Sequence, residues 1–206
     1  MGNLRIDHDV VSGSFSLDGE VHEVQNNIWV LGDDSQCVVI DAPHDVEAIA
    51  RVVGDRKVLA VLCTHAHDDH VRRAPELGYR LEAPVLLHPD DAELWELTHP
   101  GEGVEPDGAL ADGDSYEVAG TRVEVLHTPG HAPGACCFYV PRLRAVFTGD
   151  TLFKGGPGAT GRSFSNRDVL EDSIRRKLFP LDDETKVLPG HGESTTIGAE
   201  AELLGS

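Results

Sequence analysis

Six consecutive residues, His65-Ala66-His67-Asp68-Asp69-His70, constrain this chain more than any other feature. They follow residues 57–63, an apolar run that reads as a buried strand. Imidazole nitrogen and carboxylate oxygen are the usual ligands of zinc in hydrolytic sites. In extended backbone, residues two apart point to the same side, so the rings of His65 and His67 can reach one ion. Asp69 and His70 come next and can face a second ion as the chain turns into a helix. Acidic, histidine-containing loops also occur without metal. Four ligand-type residues within six positions, directly after an apolar strand, are hard to read that way.

Three more ligand-type residues sit where apolar runs end, each in a tight Gly or Pro turn. His131 closes His127-Thr128-Pro129-Gly130-His131, Asp150 closes Thr148-Gly149-Asp150, and His191 lies in Pro189-Gly190-His191-Gly192. In layered sheet folds, functional groups gather at strand ends. Asp41 likewise ends the apolar run 37–41. His8, His22, His44, His88 and His99 lack ligand partners in the sequence, and His127 reads as structural within its turn.

The remaining pattern is several strands followed by helices, twice over. Residues 21–24 and 28–31 read as strands joined by an Asn26-Asn27 turn, and residues 45–53 as a helix capped by Asp45. Short helices are expected at 71–77 and from Pro89 to about Leu97, around a strand at 85–88, and then a long Gly/Pro/Asp/Glu-rich loop at 99–114. The second half reads as strands at 115–118, 121–126, 135–140 and 144–147, a glycine-rich loop at 155–166, an amphipathic helix at 168–179, a last strand at 185–188 and a closing helix at 197–204. We expect one domain over residues 1–206, in halves of roughly 1–105 and 106–206, with two sheets packed together and helices outside.

The ligand-type residues, in this order and after these strands, resemble the metallo-β-lactamase superfamily from about Val21 to Ile197. The resemblance implies an α+β, four-layer αββα sandwich of two similar halves with metals at one edge. It also implies roles: His65, His67 and His131 on a first metal, Asp69, His70 and His191 on a second, and Asp150 between them. Asp41 resembles the family's early acidic residue, which supports the metal loop; with Asp69 it forms the catalytic set. Asp68 matches no ligand position and reads as solvent-facing or as loop support. Two divalent ions can share one hydroxide, so a nucleophile exists without a catalytic Ser or Cys. Zinc is the expected metal, with iron or manganese as alternatives.

The stretch from Gly149 to Arg162 resembles the glyoxalase II-like group of small bacterial hydrolases. In that group a basic residue after the glycine-rich loop binds a carboxylate of the thiol carrier; Arg162 matches it, with Phe164 as a packing wall and Lys154 as a further substrate-binding residue. The implied reaction is hydrolysis of a small anionic thioester of the hydroxyacylglutathione type. Only fifteen residues follow His191, so no counterpart is expected here of the helical domain that completes the glutathione pocket in longer relatives. The loop and Thr195-Thr196-Ile197-Gly198 are similar to actinobacterial members, which implies mycothiol as carrier.

Charge and cysteine usage narrow the partners. The formal charge of −19, from 36 acidic and 17 basic residues, opposes binding to nucleic acid or anionic membranes and so counts against a nuclease. Two dications less Asp69, Asp150 and one hydroxide leave about +1 at the site itself, which favours a small anion there. Cys37, Cys63, Cys136 and Cys137 lie in apolar runs without a Cys-x-x-Cys pair, as expected of buried reduced thiols in a cytoplasmic protein. The N-terminal residues 1–8 carry no signal-like apolar stretch, which also speaks against an exported β-lactamase. A monomer or homodimer is expected. The competing readings are a mono-iron persulfide dioxygenase and a non-catalytic metal-binding protein.

Overall fold

The structure is a computed structural model that describes residues 3–205. Met1, Gly2 and Ser206, which fall within the expected domain limits and the N-terminal stretch, lie outside the described residues.

The first sheet holds six strands in sequence order: β1 (Arg5–Leu17), β2 (Glu20–Gly32), β3 (Gln36–Ile40), β4 (Lys57–Leu62), β5 (Val85–Leu87) and β6 (Gly108–Ala109). The chain between them forms α1 (Val46–Val53), α2 (Asp68–Val71), α3 (Ala74–Leu81) and α4 (Ala92–Thr98). The second half supplies β7 (Ser115–Val118), β8 (Thr121–His127), β9 (Cys136–Val140), β10 (Ala145–Gly149), a small β11 (Leu152–Phe153)–β12 (Gly156–Pro157) hairpin, α5 (Arg167–Ser173), β13 (Lys186–Pro189), β14 (Thr195–Thr196) and α6 (Ile197–Leu204). The second sheet runs β14-β13-β10-β9-β8-β7.

Strand alternation builds the layers. On β3, Val38 and Ile40 enter the core between the two sheets, while Cys37 and Val39 enter the core beneath the helices of the first half. On β9, Cys136, Phe138 and Val140 face the first sheet, and Cys137 packs with Leu170, Ile174 and Ile197. Both faces are covered, which is why these strands read as unbroken apolar runs. The result is the αββα sandwich implied by the resemblance. All four cysteines are free and buried; burial pushes the Cys137 thiol up to about 11, so it is unreactive. No helix among the described residues is long and apolar enough to cross a membrane.

The structure corrects several local expectations. Asn26-Asn27 is not a turn: both residues are buried within one continuous β2. The turn lies at Asp18-Gly19, with φ of +56° and +79°, and it joins β2 to a thirteen-residue β1. Positive φ at both central residues suits the right-handed twist of a hairpin, so Asp-Gly was the signal to follow. The single helix expected at 71–77 is two, because Pro75 lacks an N–H and sits in the first turn of α3 rather than inside a longer helix. The 99–114 loop contributes β6, and β14 follows β13, which is therefore not the last strand. A π-helical turn, Ile174–Leu178, continues α5 over the span expected for one amphipathic helix.

Candidate metal centre

The C-terminal ends of β3, β4, β8, β10 and β13 meet at one edge of the sandwich, and each is followed by a residue of the centre. The β4 end leads through Thr64 to His65 and His67, and α2 carries Asp69 and His70. The loop after β8 brings His131, the turn after β10 brings Asp150, and the turn after β13 brings His191. All seven sequence-predicted ligands converge, in groups His65/His67/His131, Asp69/His70/His191 and His65/His70/Asp150, with ligand atoms inside each group within 4.8 Å of one another. Close approach demands glycine at 190, where a Cβ would stand 2.5 Å from His70 Cε1 and 2.7 Å from Asp150 Oδ1.

Hydrogen bonds on the far side of each ring set its tautomer. His70 Nδ1 donates to Asp41 Oδ2 (2.8 Å), His131 Nδ1 to the Ala159 carbonyl (2.8 Å) and His191 Nδ1 to the Gln25 carbonyl (2.6 Å). Thr64 Oγ1 donates to Asp41 Oδ2 (2.8 Å), so its oxygen accepts from His65 Nδ1 (3.1 Å). These four rings therefore turn Nε2 to the centre, the orientation that metal-ligating histidines use once Nε2 carries no proton.

The donor set fits cations. His65 Nε2 and His131 Nε2 each lie 3.0 Å from His67 Nδ1. With the other nitrogens of His65 and His131 holding the protons, at most one hydrogen can lie among the three facing nitrogens. Such crowding of lone pairs is repulsive without a positive ion between them. Nitrogens bound at 2.0–2.1 Å in a tetrahedron stand about 3.3 Å apart, close to what is seen. In the second group, His191 Nε2 lies 3.2 Å from Asp69 Oδ2 and 3.3 Å from His70 Nε2. Asp150 reaches both groups, with Oδ1 3.3 Å from His70 Nε2 and Oδ2 3.5 Å from both His131 and His191 Nε2. Asp150 Oδ1 and His67 Nε2 are buried without hydrogen-bond partners.

The two groups differ electrostatically. Burial, then neighbouring histidines, pushes His67 down to about 3 and His65 well below its ordinary range, so both rings are neutral. Burial acts the same way on His70 and His191, but carboxylates outweigh it. Asp69, Asp150 and Asp41 raise His70, and Asp150 and Asp69 raise His191 to about 10. A cation at the second group therefore displaces protons, and its binding strengthens as pH rises.

Asp41 is buried beneath the centre and holds Thr64 N (2.6 Å), Thr64 Oγ1 and His70 Nδ1 from a left-handed backbone at φ +61°. It does not line the cavity, so its part in the expected catalytic set is corrected to positioning. Asp68 supports the loop, accepting from Ser16 N (3.0 Å) and pairing with Arg72.

A cavity of about 290 Å³ opens onto His67, Asp69, His131, Asp150 and His191. Phe15, Val24, Phe153 and Ala159 give it apolar walls, and Arg162 and His22 stand at its rim. Of the three expected substrate-binding residues, only Arg162 lines it. Arg162 pairs with Glu20 (3.0 Å) and donates to His22 Nε2 (2.8 Å), tying the β1–β2 hairpin to the glycine-rich loop. Phe164, at φ +69°, instead packs against the core of the first half, and Lys154 pairs with Glu193 in solvent. The aromatic walls are Phe15 and Phe153, which only the hairpin and the β11 turn bring here.

Sequence reasoning missed three buried polar residues. Asn26 donates through Nδ2 to Asp69 O and Asp69 Oδ2, both at 3.0 Å. Asn27 donates through Nδ2 to the carbonyls of Pro189 (2.9 Å) and Gly192 (3.1 Å), on either side of His191. Asp91, fully buried, accepts from Ala66 N (2.8 Å) and Gly134 N and so clamps the His65/His67 loop to the His131 loop. Asp91→Ala leaves two buried N–H groups unpaired; a loss of about 2 kcal/mol is expected, read as a lower denaturation midpoint with unchanged m-value. The one signal for Asp91 was its place at the start of a helix just after a strand end.

Comparison with known proteins agrees with this geometry. A sequence profile of the metallo-beta-lactamase superfamily matches residues 22–191. A hydroxyacylglutathione hydrolase, GloC, of Haemophilus influenzae is 31% identical over 189 residues, covering 85% of this chain and 89% of its own. The crystal structure of the BLEG-1 B3 metallo-beta-lactamase superposes with a TM-score of 0.78 at 30% identity, covering 93% of this chain and 97% of that one. That of TTHA1623 in a di-iron-bound form superposes at 0.73 and 35% identity, covering 87% and 94%. Ligand groups, sandwich and sequence all point the same way: this chain belongs to the metallo-β-lactamase superfamily of metal-dependent hydrolases.

Proposed function

We propose that the chain hydrolyses a thioester of a small, carboxylate-bearing thiol. The observation that carries this reading is the graded cavity: a His/Asp centre at its floor, apolar walls, and the Arg162 guanidinium at its rim. The 31% identity to a hydroxyacylglutathione hydrolase supports it. An Arg fork matches a carboxylate in plane and charge. Its exposed partner Glu20 is a weak competitor, because surface ion pairs are worth little.

Bound divalent cations supply Lewis acidity and a nucleophilic water at neutral pH. His65, His67 and His131 would hold one ion and Asp69, His70 and His191 the other, with Asp150 between them. Zinc suits this nitrogen- and oxygen-rich set, with iron or manganese as alternatives. The protein does the rest. Phe15 lies 5.2 Å, ring to ring, from His67 and shields it from bulk water. Asn26 donates to Asp69 Oδ2, the oxygen that faces His191 Nε2, which would leave Oδ1 to take the proton of the attacking water. Arg162 anchors the carrier so that the acyl carbon lies over the centre.

Metal content by elemental analysis, followed by turnover of S-lactoylglutathione, mycothiol esters, an uncharged thioester, a β-lactam, a lactone and a phosphodiester, tests the reading. Turnover of the carboxylate-bearing thioesters is expected. Arg162→Ala should raise KM for these about tenfold and leave the uncharged thioester unchanged. One iron per chain with oxygen uptake on a thiol persulfide overturns it, as does activity confined to the last three substrates.

A further inference from the structure

Two neighbouring asparagines in β2 are held in the same way. Asn26 Oδ1 lies 2.8 Å from His44 Nε2, and Asn27 Oδ1 lies 2.9 Å from His8 Nε2. Each histidine donates to an amide oxygen, which leaves the amide NH2 to face a loop of the metal centre. Adjacent strand residues point to opposite faces, so the two amides grip different loops. Asn27 reaches only the backbone around His191. Asn26 reaches a side chain of the centre itself, Asp69 Oδ2, as well as the Asp69 carbonyl.

The orientation of the Asn26 amide is over-determined. Its two N–H hydrogens meet two acceptors on Asp69, and its oxygen meets a donor on His44. A flip would set Oδ1 against two acceptors, at 1% exposure where no bulk water relieves the clash. His44 is itself placed by packing: a Cβ at Gly13 of β1 would come within 2.2 Å of its ring. The next partner in the series is Asp69, whose Oδ2 is fixed by this series and whose side chain borders the cavity.

We propose that Asn26, locked in one amide orientation by His44, is the positioning residue that sets the rotamer of Asp69, and thereby both the affinity of the second cation and the rate of the proton step. This rests on the metal-hydrolase reading of the site and is independent of which substrate it cleaves. Partners that orient a metal ligand typically change metal affinity or activity by about 10–100-fold when removed. A residue with a merely structural role would lower the melting temperature without singling out one of two ions.

The test uses the full chain and two readouts, each with a melting curve. Zinc titration of the metal-stripped protein against a chromophoric chelator reads the first and second equivalents with no substrate present. Steady-state kinetics on whichever substrate is turned over reads kcat and KM separately. Asn26→Ala is expected to weaken the second equivalent at least about tenfold with the first unchanged, and to lower kcat about 10–100-fold with KM within about twofold. His44→Ala should give a smaller loss of the same kind, His44→Gln should recover part of it through its side-chain N–H, and His44→Ala in the Asn26→Ala background should add nothing. Wild-type affinity for the second zinc in Asn26→Ala, or a His44→Ala effect that persists in that background, overturns the proposal. Should Asn26→Ala fail to fold, the His44→Ala and His44→Gln pair decides by the same zinc readout. Failure on every thioester with this zinc pattern intact would sink the substrate reading and leave this one standing.

Discussion

Asp69→Ala is expected to lower turnover by at least about 10³-fold while the protein stays folded. Two effects combine: removal of a group that takes a proton in the transition state costs about 10²–10⁴-fold, and loss of a ligand empties the second group. Asp69 is 2% exposed, yet it borders the cavity, and its loss leaves His70 and His191 with Asp150 as their remaining carboxylate partner in the centre. Pre-steady-state and steady-state rates, with zinc per chain measured in parallel, check the expectation. Retention of more than a tenth of wild-type kcat at full metal content would show that Asp69 neither takes the proton nor sets the nucleophile. Under the non-catalytic reading, the same variant would change metal stoichiometry and nothing else.

Asp41→Ala should be the most destabilising single change near the site, by about 4 kcal/mol. Its carboxylate accepts Thr64 N, Thr64 Oγ1 and His70 Nδ1, all in the dry interior. Alanine would leave these donors unpaired and would still have to adopt φ +61°, a region that Asp tolerates better. For a chain of 206 residues, that loss corresponds to a fall in melting temperature of about 10 °C. Calorimetry of the metal-stripped protein separates it from weakened metal binding. Asp41→Asn should be milder, because its amide oxygen can still accept from one or two of the donors. A melting point within a degree or two of wild type in Asp41→Ala would mean that water or a shifted Thr64 satisfies these groups.

Much of the first sheet and all seven residues of the candidate ligand set were legible in the chain. The runs at β3 and β4 are apolar on both faces because they lie between a helical layer and a second sheet. Tight turns with glycine mark where such strands deliver ligands. The β1–β2 ribbon was harder to read. Much of β1 and the first half of β2 carry exposed polar side chains, so apolar periodicity is weak there. Asn26-Asn27 resembled a turn because Asn is common in turns, whereas here both side chains are consumed by distant acceptors. Phe164 follows closely on Arg162 and Lys154 precedes the glycine-rich loop, but Phe164 at φ +69° packs on the core of the first half and Lys154 pairs with Glu193 in solvent, both away from the cavity.

The sequence by itself determined the identity and order of the seven candidate ligands, since each is encoded locally: a strand end, a tight turn, a His, Asp or paired motif. It also determined the layered class, through strands buried on both faces. Tertiary structure alone decided how those ligands are held and what reaches them. The Asn26–Asp69 contact spans 43 residues, Asn27–Pro189 spans 162 and Arg162–His22 spans 140. Local propensity carries no trace of such contacts; the two asparagine contacts draw their energy from pairing polar groups that folding has already removed from water, whereas Arg162–His22 joins two loops at the surface. The cavity over these residues depends on long-range approach as well, with Arg162 and His22 meeting in its lining.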